Sequence, residues 1–126
     1  MQKVLVVDDE DVLRMLIEDT LEELEDVEIR TAENGVEALA KLSDDLYDLV
    51  ILDYMMPEMT GIEVLSELDE DMKNSTPIMM LTAKAQEIDR SRAREAGARY
   101  FMPKPFSPTE LLQIVEGILG EKKKIR

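Results

Sequence analysis

Five short apolar runs recur along this 126-residue chain, and longer amphipathic stretches separate them. The runs are almost continuously apolar, which is typical of parallel strands that are covered on both faces. The predicted strands comprise residues 3–7, 28–32, 49–52, 78–81 and 99–102. Because parallel strands need a long crossover between them, the intervening stretches are expected to be helices on both faces of one sheet.

Five stretches carry apolar residues at helical spacing, which places these residues on one stripe of each helix. The first stripe comprises Val12, Met15, Leu16, Ile17, Leu21 and Leu24, and the second comprises Val36, Ala38, Leu39 and Leu42. A third helix is predicted after Thr60, a fourth over 86–96, and a fifth that begins with Ser107 as its capping residue. Gly97 and Gly120 are predicted to end the last two helices.

Five strand–helix units of this length predict an α/β fold, in which a doubly wound, five-stranded parallel sheet forms the middle of a three-layer sandwich. No linker-like segment divides the chain, so we expect a single domain over 1–126, with its core over about 3–119 and a short basic tail over 121–126. Ligands of such sheets bind outside the carboxyl ends of the strands. The residues at those ends are therefore the candidates for function.

The composition excludes several kinds of chemistry. The chain has no cysteine and no histidine, which removes disulfides, thiolate or imidazole metal sites, and thiol or imidazole catalysis. A net charge of -14 opposes direct binding of nucleic acid or of an anionic membrane. The apolar runs are too short to cross a bilayer and the chain begins without a secretory signal, so we expect a cytoplasmic protein.

Acidic residues stand at two neighbouring strand ends. The run Asp8-Asp9-Glu10 follows the first predicted strand, and Asp53 follows the third. Like charges a few ångströms apart raise each other's pKa values, and a divalent cation bound by carboxylate oxygens relieves the repulsion. The pattern therefore predicts a site for Mg²⁺, with Mn²⁺ as the alternative ion.

A hydroxyl group and an ammonium group stand at two further strand ends. Thr82 follows the fourth predicted strand, and Lys104 follows the fifth between two prolines. A phosphoryl group on Asp53 could then be held by the cation, by Lys104 and by the Thr82 hydroxyl. This is the positioning and charge neutralisation that phosphoryl transfer needs.

Four segments together resemble the receiver domains of two-component response regulators, the CheY-like family. They are VLVVDDE at 4–10, LDYMMPEMTG at 52–61, MLTAK at 80–84 and MPKPF at 102–106. The resemblance covers about 3–119 and implies a flavodoxin-like fold with strand order 2-1-3-4-5. It also implies a cis peptide bond between Lys104 and Pro105, and unusual backbone angles at Gly61 in the loop after the acceptor.

The resemblance assigns a role to each residue of the predicted site. Asp53 would be the phosphoacceptor, and Lys104 would contact the phosphoryl group. The implied metal ligands are the carboxylates of Asp8, Asp9 and Asp53 and the backbone carbonyl of Met55. Thr82 and Phe101 would form a switch pair, although an aromatic residue at a strand end is equally consistent with a plain core position. Lys84, two residues after Thr82, offers a second charge near the phosphoryl group, although its position is equally consistent with a solvated side chain.

The resemblance also implies partners. A sensor histidine kinase or a histidine phosphotransfer protein would donate the phosphoryl group, because it supplies the histidine that this chain lacks. A downstream protein would bind the face formed by the fourth predicted helix, the fifth strand and the fifth predicted helix. Since the chain ends soon after that helix, we expect a stand-alone regulator, monomeric or weakly dimeric, that is not an enzyme beyond its own phosphorylation and dephosphorylation.

Two other functions remain as alternatives. An aspartyl-phosphate phosphatase of the haloacid dehalogenase type requires a second Asp two residues after the nucleophile. This chain has Met55 at that position, which argues against the phosphatase. The other alternative is a receiver-like interaction module that is never phosphorylated, and the complete set of candidate site residues argues against it. A dinucleotide-binding domain is excluded, because an acidic run stands where that fold needs a glycine-rich turn.

Overall fold

The strands form one parallel sheet in the computed structural model, which describes residues 1–83 and 87–125. Within that part of the chain there are five strands, in the order β2-β1-β3-β4-β5. They are β1 (Gln2–Val7), β2 (Val27–Ala32), β3 (Leu49–Asp53), β4 (Ile78–Ala83) and β5 (Tyr100–Lys104). The predicted α/β class, strand number and strand order are confirmed, and the peptide bond between Lys104 and Pro105 is cis, as predicted.

Six helices connect or follow the strands in the described residues. They are α1 (Asp11–Leu21), α2 (Gly35–Asp44), α3 (Gly61–Ser66), α4 (Glu70–Ser75), α5 (Glu87–Ala96) and α6 (Pro108–Ile125). The fourth and fifth predicted helices correspond to α5 and α6, and the predicted first residue of the fourth, Gln86, lies outside the described residues. The hydroxyl of Ser107 accepts the backbone N–H of Glu110 at 3.3 Å, so Ser107 caps α6 as predicted.

The short helix α4 has no counterpart in the prediction. It has no buried residue in the described part of the chain, so it lacks the apolar stripe by which the other helices were found. Its signal is the cap, because the Asp69 carboxylate accepts the backbone N–H of Met72 at 2.8 Å. A capping residue ahead of a polar stretch indicates a helix less strongly than an apolar stripe at helical spacing does.

Two apolar cores lie on opposite faces of the sheet, and alternate residues of each strand belong to different cores. Leu5 and Val7 pack with α2, α3 and α5 on one face, whereas Val4 and Val6 pack with α1 and α6 on the other. Burial of each such side chain contributes about 2 kcal/mol. This two-sided burial is the physical reason why the strands read as continuous apolar runs.

The prediction that Gly120 ends the last helix is wrong, because α6 continues to Ile125. Gly97 does follow the end of α5, with a left-handed φ of 124°. A glycine that keeps helical angles costs a helix only about 1 kcal/mol, and the residues after Gly120 are good helix formers. The predicted basic tail therefore extends the helix over Glu121 to Ile125.

The predicted stripe of α1 is only partly a core stripe. Ile17 and Leu21 are buried against the sheet, but Val12, Met15 and Leu16 are 81%, 58% and 42% exposed. Val36, at the start of α2, is exposed as well. Leu13, Ile17 and Leu21 pack against one core, so Val12, Met15 and Leu16 lie on another face of α1, which is turned away from that core. Among the described residues, no helix is both long and apolar enough to span a membrane.

Three strands continue one or two residues beyond their predicted ends. Asp53 pairs with Leu81, Thr82 pairs with Pro103, and Ala83 pairs with Lys104 in the parallel ladder. The candidate residues Asp53, Thr82 and Lys104 are therefore parts of the strands, whereas the prediction had them directly after the strands. Backbone pairing holds their positions more firmly than a loop would.

Candidate functional site

The ammonium group of Lys104 lies among three carboxylates at the carboxyl edge of the sheet. Its Nζ is 3.0 Å from Oδ1 of Asp53, 3.4 Å from Oδ2 of Asp8 and 3.6 Å from Oε1 of Glu10. Asp8 is fully buried and Asp53 is 3% exposed, while Glu10 faces solvent. The structure thus brings together residues from the ends of β1, β3 and β5.

Backbone hydrogen bonds fix the two buried carboxylates. The N–H of Asp8 donates to the carbonyl of Ala32 at 3.2 Å, which continues the pairing of β1 with β2. Oδ1 of Asp8 accepts the N–H of Glu10 at 2.8 Å, so the chain turns sharply after β1. After Asp53, the N–H of Tyr54 donates to the carbonyl of Leu81 at 2.9 Å. Both carboxylates therefore stand on backbone that is tied to a neighbouring strand.

The electrostatics of the site follow from burial and from like charge. Burial is the main cause that raises the pKa of the Asp53 carboxyl from 3.8 to about 6, against the hydrogen bond from Lys104, and the charges of Asp8 and Asp9 raise it further. Burial also raises the pKa of Asp8, although the hydrogen bond from the Glu10 N–H opposes the shift. Burial lowers the pKa of Lys104, but the hydrogen bond to Asp53 and the surrounding carboxylates outweigh it and raise that pKa overall.

The carboxylate cluster fits a hard divalent cation. One oxygen from each of Asp8, Glu10 and Asp53 lies within 4.8 Å of the others, and carboxylate oxygens are the donors that Mg²⁺ prefers. Glu10 belongs to this group, although the sequence prediction gave it no ligand role. The sequence did contain an indication of this role, since Glu10 is the last residue of the acidic run after β1. Asp9 is partly buried and is close enough for its charge to raise the pKa of Asp53.

The predicted switch residues lie on neighbouring strands. Thr82 is buried on β4, and Phe101 on β5 is partly buried against the core that contains α5. Two guanidinium groups of α5 lie over the Phe101 ring, with the carbon atoms of Arg90 and Arg94 at 5.5 Å and 5.2 Å from its centroid. Such cation–π contacts contribute about 0.5–1 kcal/mol each at exposed positions. Lys84 lies outside the described residues.

Gly61 is needed for close packing rather than for unusual backbone angles, so the predicted reason for this glycine is wrong. The positive φ in this loop belongs to Glu58, at 70°. Gly61 is the first residue of α3, and a Cβ there would lie 2.7 Å from the backbone oxygen of Asp53 and 2.8 Å from Sδ of Met80. The start of α3 thus lies directly against the backbone of Asp53.

Comparison with known proteins identifies the family. The model of the response regulator receiver domain matches residues 4–116. The chain is 46% identical over 119 residues to the transcriptional regulatory protein CpxR homolog of Haemophilus influenzae, covering 94% of this chain and 51% of the relative. It is 48% identical over 117 residues to the transcriptional regulatory protein ResD of Bacillus subtilis, covering 93% and 48%. The chain thus spans about half the length of these relatives, and its role as a stand-alone regulator remains a prediction.

Solved structures agree with this result. The receiver domain protein (CheY-like) of Methanospirillum hungatei superimposes with a TM-score of 0.89 at 27% identity, covering 100% of this chain and 99% of that one. The chemotaxis response regulator CheY4 of Vibrio cholerae has a TM-score of 0.85 at 35% identity, covering 94% and 98%. The fold, the sequence and the arrangement of the site lead to one conclusion: this chain belongs to the response regulator receiver family of two-component signalling.

Proposed function

We propose that this chain, over 1–126, is a single receiver domain that accepts a phosphoryl group on Asp53 from a phosphohistidine donor, in a reaction that needs Mg²⁺. The observation that carries the proposal is the 3.0 Å contact between the Lys104 ammonium group and the buried Asp53 carboxylate. A fixed cation beside a buried carboxylate suits an acceptor whose negative charge increases on phosphorylation. The cytoplasm is the proposed location.

In the proposed reaction, a carboxylate oxygen of Asp53 attacks the phosphorus atom. The P–O bond forms as the P–N bond to the donor's imidazole breaks, and the electron pair of that bond leaves with the imidazole. Lys104 neutralises charge on the phosphoryl oxygens, and the Thr82 hydroxyl donates to one of them. Mg²⁺, or Mn²⁺, would supply further charge neutralisation and hold the phosphoryl group in line with Asp53.

The proposed ligands of the cation are the carboxylates of Asp8, Asp9 and Asp53 and the backbone carbonyl of Met55, with Glu10 as a further candidate. Hard oxygen donors on neighbouring strand ends support this set. Apart from its own phosphorylation and dephosphorylation, the domain is proposed to catalyse no reaction. Its acidic net charge of -14 supports protein, and not nucleic acid, as the direct partner of this domain.

The proposed output is a change of packing around Phe101. On phosphorylation, the Thr82 hydroxyl would turn toward the phosphoryl group, and the space it leaves beside β5 would let the Phe101 ring move inward. The guanidinium groups of Arg90 and Arg94 lie over this ring, so its movement would also alter the charge pattern of α5. The proposed target surface is therefore formed by α5, β5 and α6.

The mass of the intact protein after incubation with acetyl phosphate and Mg²⁺ tests the acceptor. We expect one added phosphoryl group on the wild type, none on Asp53→Asn, and none when EDTA replaces Mg²⁺. Asp48→Asn is the matched control, because Asp48 is another buried aspartate, whose carboxylate accepts the Lys3 N–H at 2.8 Å, and this variant should still gain the group. No gain on the wild type would favour the unphosphorylated interaction module. Continuous release of phosphate from small phosphomonoesters would favour the phosphatase.

The proposed donor surface is an apolar groove beside the acceptor. A cavity of about 450 Å³ is lined by Val12, Leu13, Leu16 and Phe106 together with Glu10 and Lys104 of the site. Exposed apolar patches mark binding surfaces for other proteins. A donor that docks here would have its histidine next to Lys104, and therefore next to Asp53.

Leu16→Asp is expected to slow phosphoryl transfer from a charged histidine phosphotransfer protein at least tenfold, because a carboxylate replaces an apolar docking contact. Its phosphorylation by acetyl phosphate should stay within twofold of the wild type, since a small donor needs no docking surface. Leu46→Asp is the control, as Leu46 is the same residue type and is also exposed, at 78% against 42% for Leu16, but lies outside the groove. Equal transfer rates for the two variants would rule out this groove as the donor surface.

A further inference from the structure

Arg14 of α1 lies behind the loop that joins β1 to α1, and its side chain is only 11% exposed. Its Nη1 donates to the backbone carbonyl of Asp8 at 2.7 Å. Its Nη2 lies 2.5 Å from Oδ1 of Asp11 and 3.5 Å from Oε1 of Glu33, which belongs to the loop between β2 and α2. One guanidinium group thus connects the end of β1, the start of α1 and the next loop along the sheet edge.

The contact with Asp8 is the one that bears on the site. Asp8 is fully buried, and its two carboxylate oxygens already face the Glu10 N–H and the Lys104 ammonium group. Its main-chain carbonyl is bonded by Arg14, whose own N–H donates to the carbonyl of Glu10 at 2.9 Å. Arg14 therefore holds both ends of the acidic run 8–10, through its side chain at one end and its backbone at the other.

The contacts of Arg14 point to an effect on the site through the direction of its hydrogen bond, and not through its positive charge. Its charge is balanced by Asp11 and Glu33, which both face solvent. The N–H group that it directs toward the site donates to the uncharged carbonyl of Asp8. A planar guanidinium can donate to several acceptors in fixed directions, which a lysine cannot reproduce. Loss of the side chain would leave a buried carbonyl without this donor, which is unfavourable unless the loop moves.

We propose that Arg14 is a positioning residue, whose hold on the Asp8 carbonyl places the carboxylates of the acidic run 8–10 opposite Asp53 and thereby sets the affinity of the site for Mg²⁺. This inference rests on the proposed function, because it assumes that the cluster binds the cation. Groups that hold metal ligands in place typically change the affinity for metal 10- to 100-fold when they are removed.

Calorimetric titration of Mg²⁺ into the wild type, Arg14→Gln, Arg14→Lys and Arg30→Gln tests this inference. We expect the Kd for Mg²⁺ to rise about tenfold in Arg14→Gln and to be intermediate in Arg14→Lys. Arg30→Gln is the matched control, because Arg30 also pairs with two carboxylates, those of Glu28 and Asp45. Asp45 in turn forms a salt bridge with Lys3 at the start of β1, so Arg30 also contacts this strand indirectly, at the end away from the site. The Kd of Arg30→Gln should stay within twofold of the wild type.

Two further readouts separate positioning from a general loss of stability. At saturating Mg²⁺, phosphorylation of Arg14→Gln by acetyl phosphate should return to within threefold of the wild-type rate, since only the placement of the ligands has weakened. In EDTA, the Glu10 amide, which donates to Asp8, should exchange its hydrogen at least tenfold faster in Arg14→Gln and not in Arg30→Gln.

A Kd for Arg14→Gln within twofold of the wild type would overturn the inference, as would unchanged exchange of the Glu10 amide. Should Arg14→Gln fail to fold, Arg14→Lys carries the same comparison, and wild-type affinity in that variant would also overturn it. A wild type that binds no Mg²⁺ would instead overturn the proposed function. The exchange rate of the Glu10 amide would then still decide whether Arg14 holds the loop.

Discussion

Asp53→Asn is expected to raise the free energy of unfolding of the metal-free protein by about 2 kcal/mol at pH 8. The pKa of Asp53 is about 6 in the folded protein against 3.8 for an ordinary aspartate, and one pKa unit corresponds to about 1.4 kcal/mol. The upper limit is therefore about 3 kcal/mol, and loss of the contact with Lys104 reduces it. Urea unfolding in EDTA, followed by circular dichroism, measures the difference.

The sign of the pH dependence follows from the raised pKa. The folded protein binds the Asp53 proton more tightly than the unfolded chain does, so the wild type loses stability as pH rises from about 4 to about 6. Asparagine does not titrate, so the advantage of the variant should be complete above pH 7 and absent at pH 4. A variant that is less stable than the wild type at pH 8 would contradict the strained carboxylate cluster.

Magnesium should stabilise the wild type much more than Asp53→Asn. A ligand that binds only the folded state stabilises it, so millimolar Mg²⁺ is expected to raise the unfolding midpoint of the wild type and hardly that of Asp53→Asn. Asp48→Asn is again the control, because it removes a buried carboxylate that accepts the Lys3 N–H. It should be destabilised at pH 8 and should keep the full response to Mg²⁺.

Gly61→Ala is expected to lower the free energy of unfolding by about 3 kcal/mol, the upper part of the range for overpacked sites. The added Cβ would lie 2.7 Å from the backbone oxygen of Asp53, and that backbone is held in the sheet. The Gly61 N–H also donates to the carbonyl of Tyr54 at 2.8 Å, so the start of α3 cannot retreat without breaking this bond. Because the clash acts on the proposed acceptor, phosphorylation by acetyl phosphate should slow as well.

Gly120→Ala is the matched control for that substitution. An added Cβ at Gly120 has no heavy atom within 4 Å among the described residues, and the position lies inside α6. Alanine is favoured over glycine in a helix interior by about 1 kcal/mol, so this variant should be more stable and should be phosphorylated normally. Equal stability of the two alanine variants would mean that the close approach of Gly61 to Asp53 does not matter.

The predicted helices show how far periodicity can be used. The stripes of α1 and α2 predicted the helices correctly, yet Val12, Met15, Leu16 and Val36 are exposed, because only the helix face that packs against the core is covered. Helix α4 was missed since none of its residues is fully buried, and Gly120 was taken for a helix end although it lies inside α6. Each error concerns a position whose environment depends on distant parts of the chain.

Local sequence was enough to establish the class of fold, the strand order implied by the family, and the candidates at the strand ends. Apolar runs, capping residues and short motifs depend on neighbours within a few residues, so they can be read from the chain directly. The tertiary structure was needed for the contacts of Lys104, which is 96 residues from Asp8 along the chain, for the burial that raises the pKa of Asp53, and for the hold of Arg14 on the Asp8 carbonyl. Distances, burial and the hydrogen bonds of a backbone carbonyl depend on how whole elements pack, and no local pattern in the sequence carries that information.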